Sequence, residues 1–115
     1  MIWKLEIRIT MDKGTTLSRD EALDLVRQYK HIISRHFQQE PRVLMYGSYS
    51  KGNANSDSDI DVAVVVSSYG DRKLELSKAL WRDVDDVSLL IEPVLISEDH
   101  PSPLYDDVMR TGIAV

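Results

Sequence analysis

Apolar and polar residues alternate strictly near the start of the chain. Trp3, Leu5, Ile7 and Ile9 face one way, and Lys4, Glu6, Arg8 and Thr10 the other, which predicts a half-buried strand over 2–10. MDKGTT reads as the turn that follows. The period then changes. Ala22, Leu25, Val26, Tyr29, Ile32, Ile33 and Phe37 form one stripe at helical spacing, predicting an amphipathic helix from 18 to about 38. Ser18 with Glu21 three positions on is the reciprocal pairing of a capping box, and Pro41 closes the segment. Two apolar runs come next, at 43–46 and 60–66. The second is too apolar for a strand with one wet face and is expected at the centre of a sheet. After a turn at 67–71, residues 72–84 predict a helix with Leu76, Leu80 and Trp81 inward, and 87–96 a third strand. Ser102-Pro103 supplies a cap and a first-turn proline for a last helix over 104–110. Gly112 ends it, and 113–115 adds a short final strand. Strands alternating with helices around a buried strand give an α/β (α+β) domain with a mixed sheet.

Composition narrows the function. A chain of 115 residues is one domain, large enough to bury a core unaided. The absence of cysteine excludes disulfides and thiolate metal sites and fits a reducing cytoplasm. No apolar run has membrane-spanning length, and MIWKLEIRIT lacks the apolar stretch of a signal peptide, so a cytoplasmic protein away from membranes is expected. A net charge of −5 gives little general attraction for nucleic-acid phosphates.

The chemistry concentrates in GSYSKGNANSDSDIDVAVVV, residues 47–66, where Asp57, Asp59 and Asp61 crowd the entrance to the buried strand. Asp59 and Asp61 are two apart, so their side chains share a face. Carboxylates held side by side repel, and one takes up a proton unless a cation compensates. Oxygen ligands with no His or Cys nearby favour Mg²⁺, with Mn²⁺ as the alternative, over zinc. Mg²⁺ typically completes its shell with water and substrate phosphates, which implies a phosphate-bearing substrate. At the other end, Gly47 lets backbone approach a ligand closely. The free N–H groups and hydroxyl of a helix starting at Ser48 suit phosphate oxygens. An isolated Asp-x-Asp is more often a solubilising turn. Joined to Gly-Ser, with both ends touching apolar strands, it points to a nucleoside triphosphate site.

These residues resemble the DNA polymerase β-type nucleotidyltransferase superfamily, and most closely its minimal members. The shared motif is Gly-Ser, ten residues, then Asp-x-Asp in an apolar strand: here Gly47-Ser48, then Tyr49 through Ser58, then Asp59-Ile60-Asp61. The resemblance implies a polymerase β palm-like fold and ATP as substrate. It implies that Gly47 and Ser48, with Lys51, hold the triphosphate, and that Asp59 and Asp61 bind two Mg²⁺ ions, about 3.5–4 Å apart in such sites. A third acid on a neighbouring strand would complete the site and help deprotonate the acceptor. Glu92, the one acid inside SLLIEPVLI, is the choice, with Asp85 and Asp86 as fallbacks in the loop before it. Pro93 departs from the family pattern and, lacking an N–H, makes that strand an edge or bends it. Asp57 reads as a turn residue, and His31, His36 and His100 as surface residues. The strand at 2–10 also departs from the family, as an added edge or a pairing surface.

A chain this short carries no acceptor domain, so the acceptor is a partner or sits on a homo-oligomer. Minimal nucleotidyltransferases are often paired with a small helical HEPN protein, a ribonuclease-like toxin. Three functions follow from the resemblance: an antitoxin that transfers AMP to its partner, an antitoxin that acts by binding alone with a vestigial site, and a transferase for a small molecule of aminoglycoside type.

Overall fold

The valine run IDVAVVV has a strand on either side of it. A computed structural model describes residues 16–115, and the strand expected over 2–10 lies outside them. The described strands are β1 (Arg42–Tyr46), β2 (Ile60–Val66), β3 (Ile91–Ser97) and β4 (Ile113–Ala114), in the order β3-β2-β1-β4. β1 pairs antiparallel with β2 and β4, while β2 and β3 run parallel. The described sheet is therefore mixed, β2 lies inside it, and Pro93 sits on its edge strand β3, where its missing N–H leaves no described partner unpaired.

The two faces of β2 serve two cores. Ile60, Val62 and Val64 pack with Val43 and Met45 of β1 against α1 (Arg19–Ile33) and α3 (Lys73–Asp83), through Val26, Tyr29, Ile33, Leu76 and Leu80. Ala63 and Val65 pack with Leu44 and Ile96 against Val108 of α4 (Pro103–Thr111). The buried Tyr29 hydroxyl donates to the Leu80 carbonyl (2.7 Å), tying α1 to α3. A one-turn helix, α2 (Ser48–Lys51), follows β1. Among the described residues no helix is long and apolar enough to cross a membrane.

The caps form as expected. Ser18 and Glu21 make the reciprocal capping box, and Ser102 caps α4 with Pro103 in its first turn. Three expectations are corrected. The first helix ends at Ile33, not near 38, and runs into a 3₁₀ turn, Ser34–His36. There the Ser34 hydroxyl bonds the Lys30 carbonyl (2.6 Å), a local bond that competes with the helical ladder. β3 begins at Ile91 rather than 87, because a 3₁₀ turn, Val84–Asp86, follows α3 and the Leu90 N–H bonds the Ser88 hydroxyl. Trp81 does not point inward; it is 53% exposed. The buried stripe of α3 is Leu76, Ala79, Leu80 and Asp83. Asp83, 1% exposed, holds the inward place by bonding Arg35 and His36, each at 2.7 Å.

This assignment separates two adjacent residues. Leu80→Ala should cost about 2–5 kcal/mol by leaving a cavity. Trp81→Ala should cost less than about 1 kcal/mol in urea unfolding, as a surface change. Equal losses would return Trp81 to the core.

Candidate active site

Three strand ends meet at one edge of the sheet. Tyr46 at the end of β1 lies opposite Asp61 near the start of β2, and Asp61 lies opposite Glu92 near the start of β3. Neighbours in register share a face, so Tyr46, Asp61 and Glu92 form a row. It lies on the α4 side of the sheet, beyond Leu44, Ala63 and Ile96. Asp59, two residues before Asp61, lies close enough to Glu92 to act on its carboxyl.

The chain turns against this row at Gly47. Its φ of 75° and ψ of −149° fall in a region that essentially only glycine occupies. A Cβ there would overlap the Asp61 carboxylate. Glycine is therefore required twice, by the backbone and by the carboxylate pressed against it. Ser48 then opens α2, whose first turn closes by Lys51 N–H to the Gly47 carbonyl (3.0 Å), with the Ser50 hydroxyl on the same oxygen (2.9 Å). The leading N–H groups of such a turn have no carbonyl one turn behind them.

The acids repel one another. Burial, then the charge of Asp59, pushes the Asp61 carboxyl above its ordinary pKa. Glu92 is raised by burial, then by the charge of Asp59, the hydrogen bond with Asp59 and the charge of Asp61. The Tyr46 phenol is raised by burial, then by Asp61, Glu92 and Asp107. Among the described residues no three His, Asp or Glu side chains form a ready-made metal cage. The donor set nevertheless fits a hard cation: its atoms are all oxygen, the row holds no positive side chain, and burial followed by the charge of neighbouring acids raises the proton affinity of Asp61 and Glu92.

The structure thus gathers Gly47, Ser48, Asp59, Asp61 and Glu92. Lys51 stands exposed at the end of α2. Asp57 is exposed in a turn, its N–H bonded to Asn55 Oδ1 (2.8 Å). Asp85 and Asp86 lie in the 3₁₀ turn after α3, and Asp86 is 4.0 Å from Arg35, on the side of Asp83 rather than in the row. His31 and His100 are exposed, whereas His36 is a partner of Asp83 rather than a plain surface residue. Sequence reading missed Tyr46 and Asp107. Tyr46 could have been found from its place two residues after Leu44 on the strand that runs into Gly47; the charge of Asp107 acts on it from α4 and left no local signal.

The nucleotidyltransferase domain family matches residues 26–109, and the chain belongs to that family. A Methanocaldococcus jannaschii protein that bears the name protein adenylyltransferase MJ0141 is 26% identical over 98 residues, covering 83% of this chain and 99% of that one. The fold matches a Sulfolobus solfataricus crystal structure named for a nucleotidyltransferase, with a TM-score of 0.61 and 16% identity over 89% of each chain. A looser likeness is to a toxin–antitoxin structure solved with AMP-PNP (TM-score 0.46, 22% identity, 85% of this chain and 72% of that one).

Two outcomes follow from the geometry. Gly47→Ala should destabilise the fold by about 1–3 kcal/mol, the usual cost of a forced backbone region, in a denaturant titration; an unchanged midpoint would contradict the contact with Asp61. The second concerns pH. Because the folded state raises the Asp61 pKa, it binds more protons than the unfolded chain between the two values. The wild type therefore gains stability from this group as pH falls from neutral towards about 4, the unfolded value. Without metal, Asp61→Asn should be more stable than wild type at pH 7, by a few tenths to about 1 kcal/mol, the scale of facing like charges. That advantage should vanish below the unfolded pKa, and an advantage independent of pH would point to another cause.

Proposed function

We propose that this protein transfers AMP from ATP to a hydroxyl of a partner protein in the cytoplasm, and that the partner is a helical toxin of HEPN type. The observation that carries the reading is the contact of Gly47 with Asp61, which joins the phosphate-suited turn to the row of acids. The name of the M. jannaschii relative supports a protein acceptor.

Each residue then has a task. The Ser48 hydroxyl and the amides that follow Gly47 hold phosphate oxygens, and exposed Lys51 reaches them from the end of α2. Asp59 and Asp61 would hold Mg²⁺, or Mn²⁺, with Glu92 as a further ligand. When bound, the metal neutralises charge on the phosphates and on the leaving group. Glu92, beside Asp61 in the row, takes the acceptor proton. The acceptor oxygen bonds the α-phosphorus as the link to the β-phosphate breaks, AMP stays on the acceptor, and pyrophosphate leaves.

Glu92→Gln should slow transfer by about 10²–10⁴-fold, the range for loss of a general base, and reduce ATP affinity far less than that. Asp61→Asn should abolish Mg²⁺-dependent ATP binding by calorimetry. Co-expression with the partner, followed by mass spectrometry, should find the partner heavier by one or more AMP units with wild type and unmodified with Asp61→Asn. Neutralisation by Asp61→Asn with no mass gain would establish an antitoxin that acts by binding alone. Adenylylation of a small hydroxylated molecule in place of any protein would establish the third function.

A further inference from the structure

We infer that Arg19 is a positioning residue for the triphosphate turn: from α1 its guanidinium holds the Tyr49 and Ser50 carbonyls inside α2, fixing the direction of the amides after Gly47. The inference rests on the proposed function and adds a residue outside the motif to it.

Arg19 is the first residue of α1, beside Asp20 and Glu21. Acids suit a helix start; a cation there opposes the dipole of its own helix. Its own helix therefore gives no reason for the charge. The guanidinium leaves that helix and reaches residues 30 and 31 positions on. Nε donates to the Tyr49 carbonyl (3.4 Å) and Nη2 to the Ser50 carbonyl (3.2 Å).

The carbonyl accounting of this segment explains why it matters. The Gly47 carbonyl accepts from the Lys51 N–H and the Ser50 hydroxyl. The Ser48 carbonyl accepts from the N–H groups of Gly52 and Asn53. Tyr49 and Ser50 follow, with no further turn to supply donors, and Arg19 supplies them. A single turn has nucleation without propagation, so it does not hold its own shape. Gly52, at φ 80°, makes room: a Cβ there would stand 3.3 Å from Arg19 Nη2. The base of the clamp is fixed in turn by the capping box of Ser18 and Glu21, which sets the first turn of α1. Two donors in one rigid fork reach adjacent carbonyls in a way the single ammonium of lysine does not.

The test compares wild type, Arg19→Ala and Arg19→Lys in the full chain. Hydrogen exchange followed by mass spectrometry should show residues 48–53 of Arg19→Ala exchanging about tenfold faster, as in a local opening, with the global unfolding midpoint unchanged and Arg19→Lys in between. In AMP transfer, KM for ATP should rise about tenfold in Arg19→Ala while kcat stays within about threefold, the signature of lost positioning for binding. Exchange at wild-type rates in Arg19→Ala would overturn the clamp, and a fall in kcat at constant KM would overturn its link to the nucleotide. The exchange experiment needs no substrate, so a wild type that binds no ATP refutes the proposed function while the clamp is judged separately.

Discussion

Side chains of a β-strand alternate faces, and in β2 both faces are buried. Most of the molecule follows from that constraint. Ile60, Val62 and Val64 are committed to the core under α1 and α3, and Ala63 and Val65 to the core under α4. The parity that gives Ala63 and Val65 to α4 also gives Asp61 to that side. A slip of one residue would bury a carboxylate among Val26, Tyr29 and Ile33, at a cost no partner there offsets. The register of the acids is thus enforced by hydrophobic packing further along the strand.

The same parity brings Glu92 beside Asp61, because β3 pairs in parallel with β2 and obeys the same alternation. The edge of the sheet therefore carries charge density that the fold alone does not relieve. Burial raises the proton affinity of Asp61 and Glu92, and the neighbouring acids raise it further. Function and stability pull in opposite directions at this edge, and the valine-rich centre of β2 supplies the packing that lets the edge persist.

Much of this was legible in the chain. The helical stripes, the Ser18–Glu21 box and Ser102-Pro103 are local signals, and the helices they mark are present among the described residues. The Gly-Ser and Asp-x-Asp spacing located the turn and the acids, since those residues are close in sequence. What was not legible depends on distant partners. Asp83 takes the inward place that Trp81 was expected to hold because Arg35 and His36, 48 and 47 residues away, satisfy its carboxylate. The end of α1 depends on a hydroxyl rotamer at Ser34, and the importance of Arg19 on two carbonyls across the fold. No period in the sequence encodes such pairings.

Pro93 has a consequence beyond the course of its strand. An exposed strand edge invites pairing with another chain, and natural sheets blunt such edges with proline and with charge. Here the two stand next to each other, Pro93 without an N–H and Glu92 with a carboxylate, on the edge strand of the described sheet. An incoming strand would lose a hydrogen bond at one position and meet a negative charge at the next. The acid at position 92 thus discourages edge-to-edge pairing whether or not chemistry takes place there.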